Sequence, residues 1–179
     1  MYKRQIFDQL DGNDIDTPLL MMSYLNPLLA FGYEPLAQRA RETGVCGFIV
    51  PDLPYEESAD LRAALEAEGL GLVQLVTPAT PGSRRRMLAD ASRGFVYAVT
   101  ITGITGGDDG LPADLADYLD SVTAASPIPV CAGFGIRAAD DVDNVGRHAA
   151  GAIVGSALVE VLERGENPAD FLQSLTSSA

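Results

Sequence analysis

Two short segments carry the sharpest chemistry in the sequence. Gly133-Phe134-Gly135 and Gly155-Ser156 each follow an apolar run of strand type. Glycine lets backbone come close to a bound group. A serine that opens a helix stands where unpaired N–H groups and the positive end of the helix dipole point the same way. Two such ends in succession suit a phosphate or another oxyanion. The plainer role for these glycines is to form tight turns. Their order, each after a strand, favours the anion.

Other candidates are less specific. The segment from Thr100 to Gly110 is rich in Gly and Thr and fits a lid over a small-molecule site, or an ordinary exposed loop. Asp52 lies in Pro51-Asp52-Leu53-Pro54 at a strand end. Two roles are open to it: a carboxylate that accepts a substrate N–H, or a cap for the helix that follows. Tyr97 lies inside a strand and either points into the site or packs as core. His148, the single histidine, falls on a helical stretch away from any strand end and reads as a surface residue. Cys46 and Cys131 sit in apolar runs and read as small buried side chains, with no metal-ligand spacing.

These residues must be positioned by a regular alternation. Short apolar runs at Pro18–Tyr24, Cys46–Val50, Gly71–Val76, Phe95–Val99, Ile128–Ala132 and Ala152–Val154 predict strands covered on both faces. Between them, amphipathic patterns predict helices at about 34–43, 56–68, 82–92, 112–125, 138–148 and 156–163, with a last helix at Pro168–Leu175. Gly44 and Gly69 close helices, and Asn167 before Pro168 is a good N-cap. Repeated β-then-α units with right-handed crossovers predict a parallel sheet in a single domain, residues 1–179. No Gly-x-Gly-x-x-Gly follows the first strand, which argues against a dinucleotide-binding sheet. The fold expected is α/β, of the (β/α)8 TIM-barrel type, with six of its eight β/α units. A barrel binds and reacts at the C-terminal ends of its strands, and the loops after its last strands commonly hold phosphate.

Composition narrows the partners. The chain has 179 residues, 47% of them hydrophobic, and a net charge of -13. Such a charge repels nucleic-acid backbone. No apolar run approaches the ~20 residues that span a bilayer, and no signal-peptide pattern follows the charged start. The expectation is a cytoplasmic protein without membrane or nucleic-acid partners.

Read in order, the strand ends resemble the tryptophan synthase alpha chain family. The matching segments are Leu20-Met-Met-Ser-Tyr-Leu-Asn-Pro27, Gly47-Phe-Ile-Val-Pro-Asp-Leu-Pro-Tyr-Glu-Glu57, Gly94-Phe-Val-Tyr-Ala-Val99, Thr102-Gly-Ile-Thr-Gly106, Leu111-Pro112, Pro129-Val-Cys-Ala-Gly-Phe-Gly-Ile136 and Gly151-Ala-Ile-Val-Gly-Ser-Ala157. They run from about Pro18 to the C-terminus, and their joint order is highly specific. The resemblance implies a lyase of tryptophan biosynthesis. It would cleave indole-3-glycerol phosphate, by a retro-aldol reaction, into indole and glyceraldehyde 3-phosphate. It implies that Gly106, Gly133, Phe134, Gly135, Gly155 and Ser156 surround the phosphate. Tyr24, Ile49, Leu75 and Tyr97 would surround the indole, with Asp52 near the pocket floor. Thr105 would be a lid residue, and Asn26-Pro27 would lie near the partner subunit. No metal or organic cofactor is implied. Pyridoxal phosphate belongs to the partner beta chain, in an alpha2-beta2 complex.

One departure is large. The family's general acid/base glutamate and its catalytic aspartate belong to its second strand and the loop after it. The resemblance places both ahead of the first strand visible here, so no catalytic position is assigned and little or no cleavage is expected. The two strands short of a barrel are then the first two. Residues 1–17 resemble only the end of the helix before the family's third strand, and Met1-Tyr-Lys-Arg-Gln has no counterpart. A second reading is a naturally short, non-catalytic module that binds phosphate or activates a beta chain.

Overall fold

A computed structural model describes residues 2–11, 15–100, 114–133 and 135–176. It divides into two compact units. One comprises Met1–Gln74 and Ser92–Gly94, the other Leu75–Ala91 and Phe95–Ala179.

The first unit begins with α1 (Tyr2–Leu10), β1 (Leu19–Met22), α2 (Leu25–Phe31) and α3 (Tyr33–Glu42). It continues with β2 (Val45–Ile49), a 3-10 turn (Tyr55–Glu57), α4 (Ala59–Ala67) and most of β3 (Gly71–Val76). β2 pairs in parallel with β1 and with β3, and Ile49 is opposite both Met22 and Val73. Being flanked on both sides, β2 is almost wholly buried. The core gathers Phe7, Leu36, Phe48, Leu61, Leu65 and Leu72. Burial of each such side chain contributes roughly 1.5–3 kcal/mol. Phe7 of α1 meets Phe31 of α2 edge to face, ring centroids 5.7 Å apart.

Three expectations need correction in this unit. The first strand stops at Met22 and not at Tyr24. Tyr24 is the N-cap of α2, a helix that the periodicity does not predict. Pro27 fits there because the first turn of a helix needs no N–H from it. The helix expected at 56–68 breaks at Ser58, whose hydroxyl donates to the Tyr55 carbonyl at 2.6 Å and so ends the 3-10 turn before α4. Cys46 is exposed and not buried. Its thiol donates to the Leu19 carbonyl at 3.1 Å. Gly69, at φ +73, closes α4 as expected.

The second unit takes the end of β3, then α5 (Gly82–Ala91), β4 (Val96–Val99), α6 (Leu115–Ala125) and β5 (Val130–Gly133). It ends with α7 (Ala139–Gly146), β6 (Gly151–Ile153), α8 (Ser156–Glu163) and α9 (Pro168–Thr176). β5 pairs in parallel with β4 and β6, and Gly133 is opposite both Val99 and Ile153. Val96, Ala98, Val130 and Ala132 are buried with Leu119 and Val122 of α6 and Val145 of α7. Asn167 caps α9, accepting the Ala169 N–H at 3.0 Å. His148 is partly exposed and pairs with Asp120 at 2.8 Å, on the outer side of α6. Cys131 is half-buried.

Candidate functional site

The second unit holds the candidate anion site. Gly133 ends β5 and is buried. Its carbonyl accepts both the Thr100 N–H and the Thr100 hydroxyl, each at 2.9 Å. Thr100 is itself buried, so this pair of hydrogen bonds ties the end of β4 to the end of β5. On the other side Tyr97 of β4 fills the space that a side chain at position 133 would need: a Cβ there would come within 2.6 Å of the Tyr97 Cζ. Only glycine fits. Tyr97 is thus core and strand-end furniture together, and burial pushes its phenol up to about 12. The phenol is therefore neutral at neutral pH.

Gly135 follows at φ +83, a backbone region that side chains rarely adopt, and is exposed. Beyond it, the Arg137 and Ala138 N–H groups both donate to Asp141 Oδ2, at 2.9 and 3.0 Å. Gly155 lies two residues past Ile153, the register partner of Gly133. It opens α8 with no side-chain cap, and its carbonyl accepts from Leu158 and Val159 at 2.9 and 3.1 Å. Gly155 and Ser156 are exposed. The loop after β5 and the open end of α8 therefore leave adjacent strand ends. Free helix N–H groups at such an end suit an anion.

Leu75 is half-buried in β3. The loop after it is held from behind. The Tyr118 hydroxyl donates to the Val76 carbonyl at 2.9 Å, and Arg85 donates to the carbonyls of Thr80 and Pro78 at 2.8 and 3.1 Å.

In the first unit, Tyr24, Ile49 and Asp52 come together. The Ile49 carbonyl accepts the Ser23 N–H at 3.1 Å, and Asp52 Oδ1 accepts the Leu25 N–H at 2.8 Å. Asp52 therefore caps α2, which precedes it, and not the following helix that its capping role predicts. Tyr24 between them is 68% exposed, while Ile49 is buried. Asn26 and Pro27 lie in the first turn of α2. Gly106, Thr105 and Phe134 fall outside the described residues. Among the described residues no group of three or more His, Cys, Asp or Glu could hold a metal ion, and no helix is long and apolar enough to cross a membrane.

Sequence reasoning missed Thr100 as a strand tie, having placed it at the start of a lid. It also missed the pairing of Arg137 with Glu160, described below. Neither has a local signal: each depends on a partner 33 or 23 residues away.

The family model for the tryptophan synthase alpha chain matches residues 4–178. The match begins well before Pro18 and takes in Arg4 and Gln5, which the sequence reading left without counterparts. The tryptophan synthase alpha chain of Carboxydothermus hydrogenoformans is 41% identical over 150 residues, 84% of this chain and 56% of the relative. That of Caulobacter vibrioides strain NA1000 is 44% identical, covering 84% and 54%. The chain thus spans little more than half the length of these curated relatives. Among solved structures, a tryptophan synthase a2b2 complex from Pyrococcus furiosus gives a TM-score of 0.85 at 30% identity, over 97% of this chain and 73% of that one. The tryptophan synthase subunit alpha from Campylobacter jejuni gives 0.82 at 29%, over 96% and 69%. The fold class is the (β/α) barrel, and the described residues form six of its parallel strands. By sequence and fold together, the chain belongs to the tryptophan synthase alpha chain family.

Proposed function

We propose that the protein serves as the alpha chain of a tryptophan synthase, a lyase that cleaves indole-3-glycerol phosphate to indole and glyceraldehyde 3-phosphate. The observation that carries this reading is the family match over residues 4–178. Breaking this carbon–carbon bond in the retro-aldol sense requires a proton delivered to the indole carbon and another removed from a glycerol hydroxyl. General acid–base groups do this work. In the resemblance they are a glutamate and an aspartate with no counterpart in residues 1–179. What residues 1–179 supply is binding. Gly133, Gly135, Gly155 and Ser156, with Gly106 and Phe134, hold the phosphate. Tyr24, Ile49, Leu75 and Tyr97 surround the indole, Asp52 shapes the pocket floor through α2, and Thr105 belongs to the lid. No cofactor is needed on this chain. The partner is a beta chain with its own pyridoxal phosphate, met near Asn26 and Pro27, in the cytoplasm.

Calorimetry on residues 1–179 with glyceraldehyde 3-phosphate tests the phosphate assignment. The unaltered chain is expected to bind weakly and Gly155→Asp not at all, because a carboxylate would face the anion. An added Cβ at 155 meets nothing within 4 Å, and the residue's φ is -120, so the variant has room to fold. Equal binding by the two forms would refute the assignment.

A further inference from the structure

We propose that Arg137 and Glu160 are positioning residues for the phosphate site, their ion pair locking the loop after β5 onto α8. The inference rests on the reading that Gly133, Gly135, Gly155 and Ser156 hold the substrate's phosphate. Two of those four residues lie on each side of the lock.

The geometry is a fork meeting a fork. Arg137 Nη1 donates to Glu160 Oε1 at 3.0 Å, and Nη2 donates to Oε2. This bidentate arrangement fixes direction as well as distance. The Arg137 main chain is held separately, its N–H donating to Asp141 of α7 at 2.9 Å. Glu160 stands four residues after Ser156, one turn along the same face of α8. A hydrogen bond from Arg137 holds the Glu160 carboxyl below the usual carboxylate range, so the pair stays charged at neutral pH. Arg164 lies 3.9 Å from the same carboxylate, a weaker second contact.

Both side chains are partly exposed, and exposed ion pairs add little to global stability. Their effect is local. Gly133 and Gly135 have no side chains with which to fix the loop they bracket, and α8 opens without a side-chain cap. The ion pair supplies a link between the loop and the helix. Arg137 spends both guanidinium arms on Glu160, so its charge reaches the anion only after partial cancellation.

That division gives opposite signs for the two ways Arg137 could act. If it acted as a phosphate ligand, removing Glu160 would free it and tighten binding. As a positioning residue it loses its purpose without Glu160, and binding weakens. Inorganic phosphate is titrated calorimetrically into residues 1–179 and into Arg137→Ala, Glu160→Ala, the double alanine variant, and the charge-reversed Arg137→Glu/Glu160→Arg. The expectation is a loss of roughly tenfold in each single variant, no further loss in the double, and recovery to within about threefold in the reversed pair. Amide exchange at Ile136 and Ala138 should quicken in Glu160→Ala while that at Ala132 in β5 does not change. Unchanged or tighter binding by Glu160→Ala overturns the lock, as does a double variant that loses the product of the two single effects. An unaltered chain that binds no phosphate overturns the phosphate reading itself, and the inference with it. Binding by the unaltered chain with unaffected variants overturns the lock alone.

Discussion

The ring of Tyr97 stands against the α-carbon of Gly133, where a Cβ would come within 2.6 Å of its Cζ and 2.7 Å of its Cε1. One strand end is thereby shaped by a side chain on its neighbour, and the glycine is demanded by sterics before any ligand is considered. Gly133→Ala should destabilise by about 1–3 kcal/mol, the usual cost of overpacking. Because the cost arises from one contact, it should mostly vanish in a Tyr97→Leu background, a coupling that urea unfolding of the four forms would measure. Strictly additive losses would mean that the contact is not the cause.

Burial raises the Tyr97 phenol to about 12, and raises Tyr118 as well, against the opposing pull of Arg85 over its ring. Both rings are more acidic in the unfolded chain, near 10. The folded form therefore favours the neutral phenol. Its contribution is complete below pH 10 and is lost as pH rises from 10 through about 12. Melting temperatures between pH 8 and 12 should fall across that window, and Tyr97→Phe should fall less steeply. A Tyr97→Phe profile parallel to that of the unaltered chain would contradict the assignment.

Much of this architecture was legible in the sequence because parallel strands covered on both faces leave short, continuous apolar runs. Gly71–Val76 and the start of α8 at Ser156 were placed to the residue. The break of the expected 56–68 helix at Ser58 is local, and the other misses depend on contacts remote in sequence. Leu25–Phe31 shows no helical periodicity of its own, and its first N–H, that of Leu25, is accepted by Asp52, 27 residues on. α1, anticipated only as the end of a helix by resemblance, takes its place through buried Phe7 against Phe31 and through Arg39, which pairs with Asp8 and Asp11. Cys46 lies in an apolar run yet is exposed, at the point where the register slips between Leu19 and Leu20 and no residue of β1 stands opposite it. The anion site was legible as glycines after strands. The ties that hold it, Thr100 to Gly133 and Arg137 to Glu160, were not.

β1 half-buries Leu19 and Met21 and leaves Leu20, Met22 and then Tyr24 exposed, at 38%, 52% and 68%. Among the described residues it pairs only with β2 within its unit. An apolar, uncharged strand edge invites pairing with another copy. Residues 1–179 on their own should therefore self-associate despite a net charge of -13. Sedimentation should show concentration-dependent species, shifted toward monomer by Met22→Lys. A monomer at all concentrations, with one sharp melting transition, would contradict this.

Indole release by a completed barrel is the most direct measurement. The first two β/α units of the Carboxydothermus hydrogenoformans relative, glutamate and aspartate included, would be fused ahead of this chain and supplied with indole-3-glycerol phosphate. The hybrid is expected to release indole and glyceraldehyde 3-phosphate, to lose that activity with Gly155→Asp, and to exceed residues 1–179 alone by at least about a hundredfold, the lower range for a positioned acid–base group. Robust cleavage by residues 1–179 alone, or a folded hybrid that binds the substrate and never cleaves it, would contradict the proposed division between binding and acid–base chemistry.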